Sequence, residues 1–400
     1  MPVLKVFMHV SLICIFGLIS LSDTFGSQPD HLDRYFNRKM KQANIIGMQV
    51  ASIGGDTLQW TGSYGLSNFE TGEPVNDSTL FMIASCSKPV TALALLKLYD
   101  EGKFKLDDDI NDYLPFTISN PNFPDVPITF RMLLAHCSSL RDNWDILDPL
   151  YTVKEGGDSP LELEQFIKDY FTPGGKFYNA ETNFAKENPG SGWAYCNMGY
   201  ALIGLLIEKI SGMSFSDYLH QHIFLPLGMP NSYWFLREIK STNIARPHVL
   251  PDKKSDANSP ELLPHYGYPD FPDGQLRTTV SDYARVVSLI LNKGRIGDQT
   301  FISEPVIEEF LSIQFPEVNK WQAIAWNYNE FENWMYYLFM PHLPSHTGGD
   351  PGVATVVSFD PDQGVGAIVF VNSPPVTFRG GKIFYLNMVR KLLKKGKRDR

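Results

Sequence analysis

The sequence predicts an α+β fold, an α/β sandwich in which one antiparallel sheet is built from both chain ends, flanked by helices and joined to a mainly helical region. Three observations carry this. Two β-prone apolar runs, 47–53 and 57–64, are separated by Gly54, Gly55 and Asp56, the pattern of a hairpin. Two more, 353–359 and 365–371, are joined by the turn-forming Asp360, Pro361, Asp362, Gln363 and Gly364. Between these ends the periodic segments are helical: 89–101 closing at Gly102, 198–211 closing at Gly212, and 280–292 closing just before Gly294.

With 400 residues, 43% of them apolar and 13% aromatic, the chain can bury a large core, as two domains or one large one. We read one domain over 27–390, with the sheet region at about 40–80 and 275–390 and the helical region at about 105–270. The stretches 140–189 and 246–274 are rich in Asp, Pro, Gly and aromatics with weak periodicity. They read as long loops and as walls for a substrate cleft. No internal repeat stands out.

Lys5 precedes an apolar run at 6–21, followed by small and polar residues through Gly26. That is the pattern of a signal peptide over 1–26, with Ser27 as the new terminus, and it predicts export to the periplasm or the exterior. The run is short for a membrane span. Cys14 falls in the leader, leaving Cys86, Cys137 and Cys196. We read these as buried thiols, with one disulfide as the lesser alternative, and their spacing fits no zinc site. A net charge of −9 argues against a nucleic-acid partner. The exception is the basic tail, 391–400, after the apolar stretch 383–389; it reads as the frayed end of a surface helix and the one place for membrane contact.

A serine hydroxyl is a poor nucleophile without a positioned base, and a lysine can serve only when its surroundings lower its pKa. Ser85 and Lys88 stand at i and i+3, on one face of a helix whose start Pro89 marks. The helix N-terminus then directs free N–H groups toward the serine. The spacing occurs once here, after apolar Phe81, Met82 and Ile83. An ordinary N-cap serine and a solvated first-turn lysine would give the same letters. On the functional reading, Lys88 is expected to titrate well below a free lysine.

Tyr195 and Asn197 form a second group, at a loop-to-helix junction after Pro189, Gly190, Ser191 and Gly192, where side chains can project into a cleft. The same spacing recurs at Tyr385 and Asn387, inside the last helix, without such a setting. The third group is His346, Thr347, Gly348 and Gly349, leading into the C-terminal strand pair. Its glycines permit close approach of a substrate to an edge strand.

In order along the chain, Ser85-Cys86-Ser87-Lys88, Tyr195-Cys196-Asn197 and His346-Thr347-Gly348 resemble the three motifs of the class C β-lactamase and penicillin-binding-protein family. Segments 106–115, 128–140, 189–229 and 274–294 also read like family segments. The resemblance implies a β-lactamase/transpeptidase-like sheet packed between helices, with the site where it meets the helical region. It implies that Ser85 attacks a carbonyl carbon, that Lys88 and Tyr195 move the protons, and that Asn197 binds the substrate's amide or acyl side chain. His346, Thr347, Gly348 and Gly349 would bind substrate, with the N–H groups of Ser85 and Gly349 as the oxyanion hole. Asn143 matches a substrate-contacting position by offset. No metal or cofactor is implied.

The sequence departs from that pattern at His346, where many β-lactamases and transpeptidases carry lysine. Histidine is mostly neutral at pH 7, so a fixed cation for a substrate carboxylate is not assured. Histidine there is common in the family's esterases and aminopeptidases. Ser139, with Cys137, stands where Thr and Gly are usual, and we expect an effect on packing only. The expected function is thus a serine hydrolase acting on a β-lactam, a cell-wall peptide or an ester. The alternatives are an esterase or D-amino-acid peptidase, a penicillin-binding sensor that acylates without turnover, and an inactive module. No Gly-x-Ser-x-Gly elbow, phosphate-binding loop or His-Glu-x-x-His helix offers another chemistry.

Overall fold

The N-terminal hairpin becomes the middle of a six-stranded sheet in the computed structural model, which describes residues 31–251, 259–331, 341–374 and 378–398. The expected leader, 1–26, lies outside the described residues. Strands β1 (Gly47–Gly54), β2 (Thr57–Asn68) and β3 (Glu73–Pro74) come from the N-terminal part. Strands β4 (Ser345–Asp350), β5 (Val353–Asp360) and β6 (Val365–Val371) come from the C-terminal part. The order is β4-β5-β6-β1-β2-β3, every pair antiparallel, so β6 against β1 joins the two ends of the chain. This is the architecture that the two terminal hairpins predict.

Side chains of a strand alternate between faces, and here each face feeds its own core. Met48 and Val50 of β1, with Val365, Ala367, Val369 and Val371 of β6, pack on one side. Ala51 and Ile53, with Ile368 and Phe370, pack on the other. A strand covered on both faces reads as a continuous apolar run, which is why β1, β5 and β6 are buried throughout.

Helix α1 (His31–Gln42) and the last helix, α5 (Phe378–Arg398), cover one face, and α4 (Val280–Leu291) packs on β1, β2 and β6. Helix α1 is absent from the expected elements because its apolar stripe is narrow, Leu32, Phe36 and Met40 among charged neighbours. The basic C-terminal segment is not frayed over its described part. Helix α5 continues to Arg398 with Leu392 and Leu393 buried, and Ser52 Oγ donates to the Leu392 carbonyl at 2.8 Å.

The helical region is centred on α2 (Lys88–Asp100) and α3 (Asn197–Ser211). Val90 to Leu96 of α2 are all buried, as are Met198 to Ile207 of α3; helices apolar all round belong at the middle of a core. Gly102 and Gly212 close them with φ of +71° each, a left-handed conformation that glycine adopts at little cost. Of the long loop segments, 140–189 contains the helix Leu163–Phe171 and is otherwise mostly turns and irregular chain. Among the described residues no single helix is long and apolar enough to cross a membrane.

Candidate active site

The turn ahead of α2 is pinned from two sides. Ile83 N donates to Leu276 O at 3.0 Å, and Thr355 Oγ1 of β5 donates to Ile83 O at 2.7 Å. Between these anchors Ala84 takes a φ of +49°, a region costly for a residue with a Cβ and often found at functional sites. The turn lifts Ser85, which is half-buried, into a cleft of about 420 Å³. Arg141, Asp142, Trp144, Tyr195, Asn197 and Gly349 are among its other walls.

Lys88 is fully buried, unlike a solvated first-turn lysine. Its Nζ donates to Ser85 Oγ at 3.0 Å, to Asp273 Oδ2 at 2.9 Å and to the Asp273 carbonyl at 3.0 Å. Burial alone would push this lysine's pKa down, but the Asp273 carboxylate, with help from Tyr195, overrides it and holds the ammonium above its ordinary value. The expectation of a lysine titrating low is therefore corrected: its counter-charge lies 2.9 Å away. Burial in turn raises the Asp273 carboxyl, against the pull of Lys88.

Tyr195 leans over the pair, with Lys88 Nζ 4.9 Å from its ring centroid. Burial raises its phenol, while Lys88 and Ser85 draw it down; the ring stays 39% exposed to the cleft, so water moderates the burial. Buried His136 fixes the ring, its own ring 4.4 Å away and its Nδ1 accepting from Cys196 N at 3.1 Å. That bond places the imidazole proton on Nε2, and burial keeps the ring neutral. Asp142 accepts from Asn197 N and Met198 N, both at 2.9 Å, and so caps α3 while orienting Asn197 toward the cleft.

Strand β4 is the sheet edge beside the serine turn. Gly348 is the point of closest packing: a Cβ there would lie 2.3 Å from Thr355 Oγ1 and 2.5 Å from Ile83 O. Gly348 is therefore needed for packing against the turn, and Gly349 is the exposed glycine on the cleft. Gly348→Ala is expected to displace the turn and lower kcat/KM by about 10²-fold, with a loss of about 1–3 kcal/mol in stability. Kinetics and thermal melting check this; unchanged values would contradict the packing.

His346 is buried, and burial with the nearby Lys88 takes its pKa down to about 3, so it is a neutral ring behind Tyr195, 6.3 Å between centroids. Thr347 is already engaged: Glu330 Oε1 accepts from Thr347 N at 3.0 Å and also from its hydroxyl. Asn143 is the expected residue that the structure does not bring to the site. Its Nδ2 donates to Thr182 Oγ1 at 2.7 Å and Asn183 Oδ1 at 3.2 Å, tying the loop together, while its neighbours Asp142 and Trp144 face the cleft. Cys86, Cys137 and Cys196 are free and buried. Among the described residues no cluster of three or more His, Cys, Asp or Glu could hold a metal ion.

The sheet and the helical region, with Ser85, Lys88 and Tyr195 gathered between them, have the fold of the β-lactamase and penicillin-binding class. The chain belongs to the Beta-lactamase family, whose model matches residues 32–387. Penicillin-binding protein 4* of Bacillus subtilis (strain 168) is 27% identical over 352 residues, 82% of this chain and 68% of that protein. The chain spans about two thirds or less of the length of such curated relatives. The octameric penicillin-binding protein homologue from Pyrococcus abyssi superposes with a TM-score of 0.70 at 25% identity, covering 92% of this chain and 77% of that one. A class C beta-lactamase superposes with a TM-score of 0.66 at 19% identity, covering 91% and 94%.

Proposed function

We propose that the chain is a serine hydrolase that cleaves an ester or amide through an acyl-enzyme on Ser85. The observation that carries this is the buried Lys88 Nζ held between Ser85 Oγ and Asp273, under the Tyr195 ring. Ser85 Oγ attacks the carbonyl carbon and its proton passes to Lys88 as Lys88 hands one to Asp273. The carbonyl electron pair moves onto oxygen, where the N–H groups of Ser85 and Gly349 receive it. Collapse expels the leaving group with a proton from Tyr195, which the Lys88–Asp273 pair replaces. Water then attacks the acyl carbon by the same relay in reverse and frees Ser85.

The ester or simple amide reading is favoured over β-lactam hydrolysis by the third motif. β-Lactams and wall peptides present a carboxylate, but His346 is neutral and Thr347 already binds the carboxylate of Glu330. A second carboxylate arriving there would meet repulsion and no free donor. A short-chain nitrophenyl ester is therefore expected to release product at least ~10²-fold faster than a chromogenic β-lactam, a difference of about 2.7 kcal/mol in barrier. Parallel turnover assays with intact-mass readout test this; faster β-lactam turnover would overturn the preference.

A further inference from the structure

We propose that the outer face formed by α1 and α5 docks on an anionic lipid bilayer, with the catalytic cleft turned away from it. The surface is independent of the Ser85 reading. The chain carries 44 acidic against 35 basic residues, yet this face is almost purely cationic. Helix α1 supplies Arg34, Arg38, Lys39 and Lys41, and its one acid, Asp33, accepts from Tyr64 Oη at 2.8 Å. Helix α5 contains no acid and ends in six cations between Arg390 and Arg398.

The spacing turns these charges outward. In α1, Leu32, Phe36 and Met40 are buried toward the sheet, which leaves Arg34, Arg38 and Lys41 exposed on the far side. With Asn37 and Gln42 they line a shallow hollow of about 610 Å³ that has no acidic wall and suits a phosphate headgroup. In α5, Met388 and Leu392 are buried while Arg390, Lys394 and Lys397 recur at three- and four-residue steps on the exposed side. Ile383, 48% exposed, lies on that same stripe two turns earlier. Tyr35 joins the two helices: its hydroxyl donates to Asn387 O at 3.3 Å, and Arg38 and Lys391 lie 6.0 and 5.1 Å from its ring centroid. The end of α5 is also fixed, since a Cβ on Gly396 would lie 2.3 Å from Ile53 O. The cations therefore stand on a rigid two-helix surface.

Lys and Arg clustered on amphipathic helices are drawn to acidic phospholipid, and each adds to the attraction. Exposed Ile383 on the cationic stripe offers apolar contact to a bilayer, which a soluble polyanion cannot use. Charge segregation sets the orientation. The cleft lies across the sheet from this face, with Asp142, Asp273 and Asp350 in its walls, so an anionic surface attracts one side of the molecule and repels the other. Docking then leaves the cleft open to substrate.

The test is co-sedimentation of the full chain with phosphatidylcholine vesicles and with vesicles that also contain phosphatidylglycerol. The neutral vesicles register whatever the apolar run at 6–21 contributes. Binding to the anionic vesicles is expected to be at least about tenfold tighter at low salt and to fall toward the neutral level at about 0.5 M NaCl. Arg34→Gln/Arg38→Gln/Lys41→Gln and Lys391→Gln/Lys394→Gln/Lys397→Gln are each expected to cut that preference by at least about threefold, with ester turnover in solution unchanged. Equal binding to both vesicles, or an undiminished preference in either folded variant, would overturn the two-helix surface. Displacement from the anionic vesicles by soluble polyphosphate at equal phosphate concentration would assign the face to a soluble polyanion and overturn the bilayer. The wild-type comparison decides the matter even if a variant fails to fold.

Discussion

Ser85→Ala is expected to lower kcat for ester hydrolysis by about 10⁴- to 10⁶-fold, because removal of a nucleophile that acts with its base abolishes most of their joint effect. The fold should survive. Ser85 Oγ is one of three acceptors around Lys88 Nζ, and the two Asp273 contacts remain, so the lost hydrogen bond costs about 1–2 kcal/mol. Circular dichroism and thermal melting of the variant separate this outcome from unfolding. A folded variant with undiminished activity would mean that another group attacks.

Asp273→Asn is the second large effect, and its signature lies in pH dependence. In the wild type, burial raises the Asp273 carboxyl above an ordinary aspartate, so activity should fall on the acid side as the pH drops through that raised value. Below it, the protonated carboxyl can no longer take the proton that Lys88 passes on. In the variant no carboxylate balances Lys88, and burial alone pushes the lysine down from its raised position. The activity limb should then belong to the lysine, with activity rising toward alkaline pH, and kcat/KM near neutrality should fall by about 10²- to 10⁴-fold. A uniform loss with an unshifted pH profile would make Asp273 a packing residue only.

The sheet was legible because its four long strands are apolar runs bracketed by turn residues, and the burial of β1, β5 and β6 on both faces makes the signal strong. Helices α2, α3 and α4 were legible from period and closing glycines. The proximity of Ser85, Lys88 and Tyr195 was legible from motif order, since the first two motifs sit where a turn or loop meets a helix and the third lies on strand β4. The electrostatics were not. Asp273 and Glu330 lie in irregular segments with no period, and only the tertiary fold carries them to Lys88 and Thr347. Asn143 misled because asparagines at turns commonly tie loops together, as this one does.

The most direct measurement is rapid quenching of the wild-type protein with a nitrophenyl ester, followed by mass analysis of the peptide that contains Ser85. The mechanism predicts a transient mass gain equal to the acyl group on Ser85, formed no more slowly than nitrophenol is released and lost on further incubation. Acyl transfer to any other residue, or nitrophenol release from Ser85→Ala at the wild-type rate, would contradict it.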